Sequence, residues 1–489
     1  MDPCHLDATE LVRLIRRRDL SAREVVAAHL ERIEQVNPAV NAIVSLDAEG
    51  ALVAAGVADE RLAGGAEPGP LHGLPIAFKD THLTRGMRTT YGSPLLADFV
   101  PGEDELLVQR IQRGGAIRIG KTNVPEFAAG SHTFNPVFGA TRNPYDLGRS
   151  AGGSSGGAAA ALAAGLQPIA DGSDMGGSLR NPASFCNVVG LRTTPGRVPL
   201  HPVTDAWGSL TVAGPMGRTV ADAALLLSVM AGPDPRAPIS LDSPGADLRP
   251  PLAGDLHGLR VAWAPDLGGR VPVESDVRDV LAGQVEVFAE AGCLVEEACP
   301  DLDGADDVFR VLRAQAFEQS LGAHLDCSRD ALRPSLVRNI EEGRRLSGAD
   351  LARAAAERTR IHLAAVRFFE RYDVLLAPVS QVAPFPVEWE YPYVVDGQLQ
   401  HTYIDWMRSA YLLSVLAAPA LSVPAGFTPA GLPVGLQIVG PPRADRAVLA
   451  VGAAYEAATG HGRRRPSEPF SPSPSAYSTR SAGPTSSQV

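Results

Sequence analysis

Residues 151–157 read AGGSSGG, and the run AAAALAAG occupies 158–165. Paired glycines around two serines remove Cβ atoms where a chain must turn sharply or let another group approach its backbone. The alanines predict a buried helix over 158–164, and 167–170 read as extended, so the loop lies where a turn opens a helix in a layered fold. Three readings compete: a plain turn, an anion cradle at a helix start, and a loop that exposes a nucleophile. A phosphate-binding loop would close with lysine and Ser/Thr, and AGGSSGGAAA has no lysine. GGSSG (152–156) does match G-x-S-x-G, the turn that exposes a serine in α/β-hydrolases. That motif calls for a downstream histidine, and nothing singles out His201, His257, His324, His362, His401 or His461.

Short apolar runs alternate with helical periodicity on both sides of the loop. Strands are predicted at 75–78, 116–119, 258–265, 293–298, 372–378 and 432–440, and helices at 103–113 and 275–291. Asp7 with Glu10 and Ser21 with Glu24 have capping-box spacing, each before an apolar helical stripe. The pattern predicts an α/β fold, a large mixed sheet flanked by helices on both faces. The stretch 301–369 is strongly helical and reads as a cap or insertion within about 301–400. The expected organisation is one domain over 1–462, followed by a Ser/Pro-rich tail, 463–489, of disordered composition.

With 489 residues the chain can bury a large core, and its net charge of −11 is spread without long runs. Nucleic acid and anionic membrane are therefore not expected partners. Five cysteines without C-x-x-C spacing suit a reducing compartment. The start lacks an apolar signal core and no run reaches the ~20 residues that span a bilayer, so a cytoplasmic location is expected. The eleven histidines form no H-E-x-x-H and no close cluster with cysteine, so neither a metal nor another cofactor is expected. Homo-oligomerisation is left open.

A second serine loop shifts the weight. Residues 171–182 read DGSDMGGSLRNP, with Ser178 preceded by two glycines. The N–H groups of Met175, Gly176, Gly177 and Ser178 are placed to converge on a developing oxyanion, and the glycines would let a carbonyl carbon approach. A serine still needs a base. Lys79 ends the apolar run LPIAFKD (74–80), and a buried lysine loses its charge by desolvation and accepts protons. Lys121, in GKTNVP, has an equal local claim, and strand-end lysines are more often solvated.

Taken together, these segments resemble the amidase signature family of serine hydrolases. The resemblance runs through HGLPIAFKD (72–80), GKTNVPEF (120–127), ATRNPYDLGRSAGGSSGGAAAALAAG (140–165) and DGSDMGGSLRNPASFCNVVGLRTTPGRVP (171–199). It continues in GPMGRTVADAALLL (214–227) and ALSVPAGFTPAGLPVGLQIVGPP (420–442). Several long motifs in order make it far more specific than any fragment, and it is weakest over 301–400. It implies that Lys79 is the base, that Ser154 follows a cis peptide bond and relays a proton, and that Ser178 is the nucleophile. Met175 to Ser178 would form the oxyanion hole, with Ser155 and Asp174 in support. Many members have threonine where this chain has Met175, which makes the acyl pocket more apolar. Ala128, Ala129 and Gly130 with Met175 are candidate substrate-binding residues, and Phe134, Trp207 and Tyr393 candidate pocket walls.

The implied activity is hydrolysis of a small apolar or aryl amide through an acyl-enzyme, with esters, anilides and carbamates open to the same machinery. The alternative is the glutaminase component of a glutamine-dependent tRNA amidotransferase. Such components typically carry glutamine after the arginine of the nucleophile loop, and here Arg180 is followed by Asn181. A catalytically silent scaffold fits poorly with Lys79, Ser154 and Ser178 together.

Overall fold

The computed structural model describes residues 2–467. The expected tail therefore lies, from residue 468 on, outside the described residues. Of the two predicted capping boxes, only the second forms. Ser21 Oγ accepts the Glu24 N–H at 3.1 Å, the Glu24 carboxylate accepts the Ser21 N–H at 2.8 Å, and the helix Ala22–Val40 follows. Asp7 makes no side-chain cap bond, and the reciprocal bond is lost because Glu10 turns outward to Arg13 at 2.6 Å, an i,i+3 ion pair on the same helix.

The strands that carry the architecture are Ile43–Leu46 (β1), Pro75–Lys79 (β2), Ile117–Thr122 (β3), Ile169–Asp174 (β4), Val189–Arg192 (β5) and Val212–Gly217 (β6). They continue with Arg260–Trp263 (β7), Leu294–Glu297 (β8), Val374–Pro378 (β9), Ala420–Phe427 (β10) and Pro433–Val439 (β11). A three-stranded sheet has the order β1-β3-β2 and an eight-stranded sheet the order β8-β7-β9-β11-β10-β5-β6-β4. The strands β7, β8 and β9 run parallel and the pairings from β9 through β4 are antiparallel, so the large sheet is mixed. The strands β1, β5, β6 and β10 have no counterpart among the predicted ones. Glycines and prolines weaken the strand signal of β5, β6 and β10, which the large sheet pairs on both sides, while β1 is only four residues long.

Both faces of the large sheet are covered. On one, Gly190 and Gly435 let the helix Arg180–Phe185 press against the strands; a Cβ at Gly435 would lie 2.7 Å from Ser184 Cβ. On the other, Leu421 and Val423 meet Gly452 of the helix Asp445–Thr459. The two sheets are joined by side chains rather than by a ladder. The Ala77 N–H donates to Gln167 Oε1 at 2.7 Å and the Lys79 N–H to Asp171 Oδ1 at 3.2 Å. Between β8 and β9 the chain forms the long helices Ala305–Ser328, Pro334–Arg345 and Gly348–Arg371, then returns into the middle of the sheet as β9.

The helix after the double serine, Gly156–Ala163, is buried along its whole length. A Cβ on Gly157 would fall 2.3 Å from the Asn123 backbone nitrogen and 2.7 Å from Ala42 O. Alanine there gains about 1 kcal/mol of helix propensity, whereas overpacking against backbone costs ~1–3 kcal/mol and more where nothing can yield. Gly157→Ala is therefore expected to lower the thermal midpoint. Gly283→Ala, in the helix Ser275–Glu290 with nothing within 4 Å of its Cβ position, should hold or raise it. Calorimetry on the two variants checks the contrast.

Candidate active site

Lys79 sits at the end of β2, where the strand runs against β4, and is fully buried. Its Nζ lies 2.8 Å from Ser154 Oγ, 2.9 Å from Ser155 Oγ and 3.0 Å from Ser173 Oγ. All three neighbours are uncharged hydroxyls, which do not hold a proton on Nζ as a carboxylate would. Among the described residues no carboxylate forms an ion pair with Nζ. Burial drives the Lys79 pKa down to about 7, although the more distant Asp171 and Asp174 pull it back upward.

The double serine reaches Lys79 because the loop before the buried helix folds tightly, with a cis bond between Gly153 and Ser154. The Ser155 N–H donates to Ser178 O at 3.1 Å, which ties the two serine loops together. Ser178 is 9% exposed and borders a cavity that also reaches Ser154 and Ser173.

Asp174 holds the second loop from behind. Its carboxylate accepts the N–H groups of Gly177 at 2.8 Å and Leu179 at 3.2 Å, and both Nε and Nη2 of Arg180 at 3.0 Å. Arg192 adds a contact at 3.2 Å and also donates to the Asp174 carbonyl. Burial alone would raise the Asp174 pKa, but the guanidinium groups of Arg180 and Arg192 hold it far below the usual carboxylate range. Arg180 also donates to Ala410 O, Gln437 Oε1 and Ser414 Oγ, linking the loop to β11 and to the helix Arg408–Ser414.

Two expectations about this loop change. The Gly177 N–H is engaged by Asp174, whereas the N–H groups of Met175, Gly176 and Ser178 have no acceptor among the described residues. The glycines also make room for packed neighbours, and not only for an incoming carbonyl, with Gly176 still bordering the cavity. A Cβ on Gly176 would lie 2.7 Å from the Phe309 ring, and one on Gly177 2.7 Å from Ala410 Cβ, at a φ of +116° that disfavours other residues.

The cavity above Ser178 has a volume of about 450 Å³ and is lined by Ala128, Gly130, Met175, Trp207, Phe309 and Phe317, among others. Ala129 does not line it, being packed instead with Phe317, Leu321 and Ile340. Phe134 faces a separate cavity beside Arg333, and Tyr393 is half exposed, its ring tilted against that of Tyr391. Lys121 is buried but serves the fold, donating to His82 O and to Thr84 Oγ1. None of the six downstream histidines bonds to Ser154 or Ser178 among the described residues; His362 meets Leu416 O and His461 meets Gln284.

Sequence reasoning missed Asp171, Ser173, His82, Arg180 and Arg192. Asp171 and Ser173 are two apart on β4, so strand alternation places both on the face toward Lys79. His82 hydrogen-bonds Asp171 through Nδ1, and no local pattern announces that contact.

A family model for amidases matches residues 24–449. The chain is 37% identical over 467 residues to an acylamidase of Rhodococcus erythropolis, covering 95% of this chain and 97% of that protein. It is 39% identical over 481 residues to a glutamyl-tRNA(Gln) amidotransferase subunit of Acidothermus cellulolyticus, covering 92% of this chain and 94% of that one. Among solved structures, a bacterial aryl acylamidase of the amidase signature enzymes superposes with a TM-score of 0.87 at 30% identity, over 94% of this chain and 99% of that chain. The chain thus belongs to the amidase signature family and is an amide-hydrolysing enzyme.

Proposed function

We propose that the chain hydrolyses a small amide with an apolar or aryl portion, using Ser178 as nucleophile, Ser154 as proton relay and Lys79 as base. The observation that carries this reading is the setting of Lys79 Nζ, buried and surrounded by hydroxyls with no carboxylate partner among the described residues. A lysine so placed is available as a neutral base near pH 7.

In the first half-reaction, Lys79 takes the Ser154 proton while Ser154 takes that of Ser178, whose Oγ bonds to the carbonyl carbon. The carbonyl π electrons move to oxygen, and the N–H groups of Met175, Gly176 and Ser178 stabilise the oxyanion. As the C–N bond breaks, the proton returns through Ser154 to the amine, which would otherwise be a poor leaving group. Water then attacks the acyl ester, giving up its proton to the same relay, and the acid leaves as Ser178 regains its hydrogen. Met175, Phe309 and Phe317 favour an apolar substituent beside the reacting carbonyl.

The likeness to tRNA amidotransferase components supports a second reading, a glutaminase within a complex. Asn181 after Arg180 weighs against it. A glutaminase assay with a search for co-purifying proteins separates the two, against turnover of anilides by the isolated chain.

Ser178→Ala is expected to abolish both amide turnover and labelling by a fluorophosphonate. Peptide mapping that found the label on Ser154 or Ser155 would exchange the assigned roles. Lys79→Ala should lower kcat/KM by roughly 10²–10⁴-fold. For the wild type, the base works only when deprotonated, so kcat/KM should rise with pH through a limb near Lys79's value of about 7 and level off above it. A profile flat from mildly acidic to mildly alkaline pH would exclude Lys79 as the base.

A further inference from the structure

The cavity above Ser178 is also lined by two arginines, Arg313 and Arg358. Arg313 is only 5% exposed. A guanidinium that deep ordinarily has a carboxylate beside it. Arg313 has none among the described residues: its polar partners are the neutral Asn339 Oδ1 and the Tyr403 hydroxyl. The remaining N–H bonds of its five have no acceptor among those residues.

Two aromatic rings lie against the Arg313 guanidinium. The Phe317 ring lies 4.2 Å and the Tyr403 ring 5.3 Å from the guanidinium carbon. Tyr403 also carries Arg333 at 5.4 Å, and Arg333 lies 5.7 Å from the Phe134 ring. The result is an alternating stack of rings and guanidinium groups between two cavities, Arg313 bordering the substrate cavity and Arg333 the other. Arg333 forms no ion pair among the described residues either, and its Nε is buried without a partner.

The surrounding charges do not neutralise this stack. Glu126 accepts the Arg333 backbone N–H and the Ser93 hydroxyl rather than a guanidinium. Asp205 lines the cavity from an exposed turn, where its carboxylate accepts the Trp207 N–H at 3.0 Å. Among the described residues Arg358 donates only to Ser209, to its Oγ at 2.9 Å and its carbonyl at 3.3 Å.

We propose that the substrate is an amide bearing a carboxylate remote from the scissile bond, and that Arg313 binds this carboxylate. The inference rests on the amide-hydrolase reading above and adds to it the charge of the substrate. Selectivity follows from asymmetry: a carboxylate completes a buried, pre-oriented guanidinium, whereas a neutral isostere leaves it unpaired. The apolar lining then holds the segment between the carboxylate and the reacting carbonyl.

Two matched pairs test it by steady-state kinetics. Glutaryl-p-nitroanilide against pentanoyl-p-nitroanilide places the charge on the acyl arm, and 4-(butyrylamino)benzoate against butyranilide places it on the amine arm. The carboxylate member of at least one pair should have a kcat/KM higher on the order of tenfold or more. Arg313→Met should bring that ratio close to one through KM of the charged substrate, and Arg313→Lys should retain part of it. In the wild type, benzoate should slow fluorophosphonate labelling of Ser178 more than benzyl alcohol does, a readout that stands even where a variant fails to fold. Preference for the neutral member in both pairs, a ratio that survives Arg313→Met, or equal protection by benzoate and benzyl alcohol would each overturn the subsite while leaving amide hydrolysis intact. Absence of turnover on all four amides together with no labelling of Ser178 would overturn the hydrolase reading itself.

Discussion

The site depends on one buried carboxylate. Asp174 ends β4 and is fully enclosed, a placement whose desolvation cost only close guanidinium groups and N–H donors offset. Arg180 and Arg192 meet that need from different elements, one opening the helix after the Ser178 loop and the other ending β5. Arg180 extends the network to Gln437 on β11 and to the helix Arg408–Ser414. Segments more than two hundred residues apart are thereby locked to the turn that presents Ser178. Removing one member of such a group strands a buried charge, at a cost of about 3–5 kcal/mol. The network thus acts as a unit, fixing which N–H groups of the loop are spent inward and which remain free.

The same interior treats Lys79 in the opposite way. Both groups are buried, yet Asp174 keeps its charge because two cations touch it, while Lys79 is pushed toward neutrality because only hydroxyls do. Asp171 marks the boundary between the two regimes. It accepts the Lys79 backbone N–H and the His82 ring rather than the ammonium group, so it anchors the strand without forming a salt bridge to Nζ. A carboxylate moved to Nζ itself would hold the proton there through Coulomb attraction. The placement of Asp171 is therefore as important as its presence.

Much of this was legible in the sequence where a pattern is local. The double-serine loop, the D-x-G-G-S turn and the strand-end lysine stand in the sequence as contiguous motifs, and the Ser21–Glu24 cap formed as its spacing required. What escaped was non-local. Nothing near Arg192 or Gln437 says that their partners lie across the sheet, and the ion pair that diverted Glu10 competes on equal terms with a cap. The glycines at 176 and 177 show the limit well. Their motif was readable, but the reason for it, room for Phe309 and Ala410, belongs to helices far along the chain.

Depth also explains why the proposed proton path has an intermediate step. A lysine remains neutral near pH 7 only while solvent is excluded, and a base touching the substrate directly would be wetted whenever the cavity emptied. Here Lys79 has no exposed surface, Ser154 has 1% and Ser178 has 9%, a gradient from the dry amine to the accessible hydroxyl. In the proposed path Ser154 would carry the proton across the layer that keeps water from Lys79. The relay is thus the geometric consequence of using burial, rather than a neighbouring charge, to make lysine basic.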